Sequence, residues 1–112
     1  MRSMSTVVPQ FLVVFVTAPD SEVARRLARA LVESRAAACV QLVPGMTSVY
    51  RWQGAIEESS EVLLLVKTTA DRRADVEALV SREHPYDTPE IVAVAAEHVA
   101  PRYAGWLTAE TR

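Results

Sequence analysis

The chain has 112 residues, below the roughly 150 of a typical domain, so one core is expected over residues 10–112 behind a loose polar tail at residues 1–9. Twelve Lys plus Arg against fourteen Asp plus Glu leave a net charge of −2, which gives no general attraction to a phosphate backbone or an anionic membrane. Half the residues are hydrophobic, which excludes global disorder, and the single Cys39 excludes an intrachain disulfide or a multi-cysteine zinc site within one chain.

Residues 11–16 form an apolar, β-branched and aromatic run that ends before Pro19, and they predict a first strand. Six residues are too few to span a membrane, and no small-residue cleavage site follows them. With one cysteine, the expectation is a reducing, cytoplasmic compartment. Asp20 is a fitting N-cap for a helix running to about Ser34, with Glu22 in its first turn and a stripe of Val23, Leu27 and Leu31.

A β-like segment at residues 39–43 is interrupted at Pro44-Gly45 and resumes over 47–52, which predicts a bulged strand. A turn at Gln53-Gly54 leads to a return strand through Ile56 and on over 61–68. Arms of about 14 residues at ~3.3 Å each reach about 46 Å, whereas a compact domain of this size has a radius of gyration near 13 Å. The hairpin should overhang its own domain. Thr69 is expected to cap a second helix whose stripe is Val76, Leu79 and Val80, ending at His84 before Pro85. A rigid loop over 84–89, a fourth strand over 91–96 and a last helix opened by Pro101 follow, with Tyr103, Trp106 and Leu107 on its buried face.

The order βαββαβ plus a C-terminal helix predicts an α+β, ferredoxin-like sandwich in which both crossover helices cover one face of an antiparallel sheet. The other face should then be polar, yet Val62, Leu64 and Val66 alternate with Leu63 and Leu65, and the first and last strands are apolar on both sides. Such a face would be a large hydrophobic patch unless other subunits bury it, so an obligate oligomer is expected.

The run from Ala37 through Cys39 and Pro44-Gly45 to Trp52, the pair Glu61-Val62, the stretch Leu65-Val-Lys-Thr68 and the loop His84-Pro-Tyr-Asp-Thr-Pro-Glu90 together resemble the CutA family of divalent-cation tolerance proteins. The resemblance spans about residues 11–110 and implies a tight homotrimer with long β-arms wrapping neighbours, associated with metal-ion tolerance and copper binding. The loop carries Asp87-Thr88 where the family pattern leads one to expect a Glu and an aliphatic residue.

Cys39, His84 and Glu90 are the candidate metal ligands: a soft thiolate suited to copper or zinc, an imidazole held between a helix end and a proline, and a carboxylate six residues beyond it. The plain alternatives are a small buried thiol, a helix-terminal histidine bonding the last carbonyls, and a solvated acid. Lys67, Tyr86 and Glu90 are the candidate residues of an intersubunit cleft for an organic anion, with simple ion pairing the plainer role for Lys67. The leading expectation is a non-enzymatic trimer that binds copper or another divalent cation. The second is a small-molecule-sensing, signalling trimer. A Cys39–His84 nucleophilic pair ranks third, because no orienting third group or oxyanion loop can be named. RNA binding is discarded, since the third strand lacks stacking residues, and only three glycines leave no phosphate-cradling loop.

Overall fold

A computed structural model describes residues 10–112; the polar tail expected over residues 1–9 lies outside them. Strands β1 (Phe11–Ala18), β2 (Cys39–Trp52), β3 (Ala55–Thr69) and β4 (Ile91–Ala95) form one sheet in the order β2-β3-β1-β4, with every neighbouring pair antiparallel. Helices α1 (Ser21–Glu33) and α2 (Arg73–Glu83) cross over between strands, and α3 (Pro101–Glu110) follows the last strand. This is the ferredoxin-like order read from the sequence, with the added helix.

α1 begins where expected: the Asp20 carboxylate accepts the Val23 N–H at 2.9 Å, satisfying a donor that the first turn leaves free. The helix stops at Arg35, which takes a left-handed φ of 65° just past the Ser34 cap. Ala24, Leu27 and Leu31 from α1 and Val76, Leu79 and Val80 from α2 pack on Leu12, Val14, Val16, Val62, Leu64 and Val66, whose alternate positions face the helices. That layer accounts for one side of the sheet only.

The alternate register carries Val13 and Phe15 on β1, Leu63, Leu65 and Lys67 on β3, and Val92 and Val94 on β4. Val92 and Val94 are half exposed, at 50% and 46%, and Val43 on β2 is 43% exposed. The two-sided apolar pattern therefore leaves an apolar face that no helix of the same chain fully covers. The β2–β3 hairpin extends the molecule further, to a longest axis of 54 Å and a radius of gyration of 15.6 Å, against about 13 Å for a compact chain of this length. A bulge between Val43 and Met46, with Gly45 at φ 79°, bends the arm where Pro44-Gly45 predicted it. Gln53 and Gly54 both have positive φ, the two-residue turn whose twist matches a hairpin.

Two local expectations are corrected. Thr69 does not cap α2, because a 3-10 turn over Ala70–Arg72 intervenes and the Thr69 hydroxyl instead bonds Thr111 and the Arg112 guanidinium. Tyr103 and Trp106 do not join Leu107 in burial: they are 39% and 43% exposed, with their rings stacked 5.5 Å apart. Leu107 alone is buried, while the Tyr103 ring lies over the Lys67 end of β3 with one side open.

Beyond α3 the backbone is clasped to the 3-10 turn. Arg112 reaches both oxygens of Asp71, at 2.7 and 3.1 Å, and Arg72 donates to the Thr111 carbonyl at 2.7 Å. The Arg112 hydrogen bond, then that from Thr69, holds the Asp71 carboxyl well below the usual carboxylate range. Because its folded pKa is depressed, this clasp contributes fully above about pH 4, the ordinary aspartate value, and its contribution falls as pH drops from there. Hydrogen exchange at Thr111 should therefore quicken on acidification more than Asp71→Asn does, the variant being nearly flat with pH once intrinsic exchange is corrected.

Candidate functional site

α2 ends at His84, whose backbone turns extended because Pro85 disfavours a helical residue before it. The ring is buried, and Nε2 lies 2.7 Å from the Thr17 carbonyl on β1. A carbonyl only accepts, so Nε2 carries the proton; Nδ1 then accepts the Tyr86 N–H at 3.0 Å. Both ring nitrogens are thus consumed by backbone groups, and the imidazole ties the loop over 84–90 to the end of the inner strand β1. The expected bond to the last carbonyls of its own helix is not the one the ring makes.

This tie sets Tyr86 beside the sheet, its ring 4.7 Å from His84 and its hydroxyl donating to Glu61 Oε2 at 3.3 Å. Burial first, and the neighbouring Glu61 carboxylate next, push the Tyr86 phenol above its ordinary pKa. Around this pair opens a cleft of about 620 Å³ between the loop, the end of β1 and the outer arm of the long hairpin. Its walls are aromatic, from Tyr50, Trp52 and Tyr86, and its charges are Glu61, Asp87 and Glu90, with no basic residue in the lining. Ser59 donates to the Tyr50 hydroxyl at 3.4 Å along one wall.

Of the residues read as a site from the sequence, the structure brings Tyr86 and Glu90 into this cleft and places the others elsewhere. Lys67 sits opposite Cys39 on β2 and Val13 on β1. It lines a smaller recess of about 320 Å³ with Phe11, His98 and Tyr103, its ammonium 6.0 Å from the Tyr103 ring centre. Cys39 is half-buried there, next to Tyr103, whose phenol is raised by burial first and by Cys39 second. Because Thr17 pairs with Leu63 and Cys39 with Lys67, the His84 contact and the thiol lie four positions apart along β3, about 13 Å at ~3.3 Å per residue. The Cys39–His84 pair considered for nucleophilic chemistry therefore does not form in one chain. Cys39, His84 and Glu90 are likewise not gathered, and among the described residues no three His, Cys, Asp or Glu side chains come together as a metal cage.

Residues 12–110 match the family model described as CutA1 divalent ion tolerance protein. The chain belongs to that family. The divalent-cation tolerance protein CutA of Thermus thermophilus is 50% identical over 99 residues, covering 88% of this chain and 96% of that one, and the Mus musculus protein CutA is 45% identical over 93 residues, covering 83% of this chain and 52% of that one. Among solved structures, CutA of Xylella fastidiosa superposes with a TM-score of 0.90 at 39% identity over 92% of this chain and 99% of that one, and the T. thermophilus protein with 0.89 at 49% identity over 91% and 99%. Members carry names such as chloroplastic in Arabidopsis thaliana and periplasmic in Archaeoglobus fulgidus, so family membership does not fix a compartment. No helix among the described residues is long and apolar enough to cross a membrane.

Sequence reasoning passed over Glu61, which proves central to the CutA cleft; the signal was a carboxylate opening an otherwise apolar strand. The His84 tie is directly testable. His84→Phe keeps an aromatic ring at the site, deletes both hydrogen bonds and leaves the Thr17 carbonyl and Tyr86 N–H unpaired, which should cost about 1–3 kcal/mol. Amide exchange at Tyr86 should accelerate; unchanged exchange there would remove the tie from the account.

Proposed function

We propose that this chain is a non-enzymatic divalent-ion tolerance protein that works as a homotrimer, with copper the ion its candidate donors suit best. The observation that carries the reading is the cleft's lining: three carboxylates, two of them on the loop held by His84, and no basic residue. Oxygen donors and a negative field favour a cationic guest. Family membership supports divalent-ion tolerance as the role, because the matched family and the T. thermophilus relative are both described by it. Assembly is supported by the uncovered apolar face and the overhanging hairpin, since a neighbour can bury the first with the second.

The donors Cys39, His84 and Glu90 would have to be combined across chains, with Cys39 as the soft ligand and the imidazole available only after a backbone partner lets go. A cytoplasmic location is supported by the lone, unpaired Cys39. The second reading, a sensor of small molecules, draws on the cleft's volume, which lies within the roughly 300–1,000 Å³ of ligand sites. The organic anion expected beside Lys67 does not suit it, because Lys67 lines the other recess and the cleft is acidic.

Light scattering at micromolar concentration should report three times the 12.3 kDa chain mass; a stable single chain would remove the assembly on which this reading depends. Titration calorimetry of reduced protein with Cu²⁺, Zn²⁺ and a panel of organic cations should give copper binding that weakens at least about tenfold, roughly 1.4 kcal/mol, in Cys39→Ala/His84→Ala and in Glu90→Gln. Equal affinity in all three proteins would sink the copper assignment, and heat from an organic cation alone would favour the sensor.

A further inference from the structure

Glu61 is 8% exposed, yet its carboxylate has no cationic partner among the described residues; its one side-chain hydrogen bond comes from the neutral Tyr86 hydroxyl. The carboxylate lines the cleft between aromatic walls, so a cation entering that cleft is the partner its own chain does not supply. Lys67 presents the converse. It is the only lysine of the chain, its ammonium makes no ion pair among the described residues, and its one recorded neighbour is the Tyr103 ring.

Both residues lie on β3 with the same parity, on the apolar face opposite α1 and α2, with Leu63 and Leu65 between them. Six positions apart on one strand, they are separated by about 20 Å at ~3.3 Å per residue and cannot meet within a chain. Among the described residues, Lys67 is also the only basic residue at a strand position of that face. Its four-carbon stem can lie along apolar surface while the ammonium reaches a polar end.

We propose that a second copy of this chain covers the bare face so that its Lys67 enters the acidic cleft and pairs with Glu61. The cleft is then a composite site, incomplete in one protomer: Glu61, Tyr86, Asp87 and Glu90 come from one chain and the ammonium from the next. A heterologous interface, in which one end of a face meets the other end on a neighbour, brings these two positions together at every contact of a closed ring. The lysine offsets one of three carboxylates, so the completed cleft keeps a net negative lining and still favours a cationic guest. This inference rests on the assembly proposed above and deepens it by naming the pair that sets the register.

A water-soluble carbodiimide tests the pairing on the intact protein. It activates a carboxylate, and the Lys67 amine displaces it to form an amide, the carbodiimide leaving as its urea with the water removed. Because Lys67 is the sole lysine, a Glu61–Lys67 amide should appear as covalent oligomers on a denaturing gel, lost in Lys67→Met and in Glu61→Gln. Lys67→Met alone should also weaken subunit association at least about 30-fold, since it strands a buried carboxylate. Adding Glu61→Gln should recover at least tenfold, since the stranded charge is then gone. Cross-links mapping to another carboxylate, association unchanged in Lys67→Met, or a double variant no better than the single would each overturn the pairing. The wild-type mass separates the two levels: a 12.3 kDa species fails the assembly itself, whereas an assembled wild type with indifferent variants fails only the ion pair.

Discussion

A single layer of helices can cover only one face of a four-stranded sheet, and this chain has apolar residues on both. Val14, Val16, Leu64 and Val66 are fully buried beneath α1 and α2, while Val92, Val94 and Val43 on the opposite face keep close to half their surface open. At ~25 cal/mol per Å² of apolar surface, leaving such a face in water gives up stabilisation that covering it would recover. The overhanging hairpin and the acidic cleft both lie around that face.

The second constraint is the short connection from α2 to β4. Pro85 forces the helix to end, and His84 spends both ring nitrogens on backbone groups of β1 and its own loop. The ring acts as a tie that fixes Tyr86 against Glu61, with Asp87 and Glu90 lining the same cleft as the outer arm of the hairpin. The result is a cleft whose position is determined by rigid elements on three sides. A loop held this way costs little ordering entropy when a guest or a neighbouring chain arrives.

Charge on this surface is unevenly distributed. The ion pairs that the protomer makes, such as Arg73 with Glu77 on α2 and Arg112 with Asp71 at the clasp, lie on exposed parts of the molecule. On the strands of the bare face, Glu61 and Lys67 make no ion pair among the described residues, and six positions of β3 separate them. Ion pairs add directional specificity to apolar burial, which by itself fixes no register.

Local patterns in the sequence carried most of the architecture. Asp20 as a cap, the bulge at Pro44-Gly45, the turn at Gln53-Gly54, the stop at His84-Pro85 and the doubly apolar strands each follow from short-range chemistry, and each is seen in the structure. The Thr69 cap failed because its hydroxyl found partners 42 and 43 residues away, at Thr111 and Arg112. Site membership was far less legible. Cys39, His84, Lys67 and Glu90 were chosen for their donor chemistry, but which of them converge depends on strand pairing: the register places Cys39 and Lys67 at one end of the sheet and Glu61 and Tyr86 at the other. Residue type and spacing thus determined the elements and the greasy second face, because those depend on neighbours a few positions apart. Only the tertiary structure decided that His84 is a tie and Glu61 the buried charge, because those roles are set by contacts across 67 and 25 residues of chain.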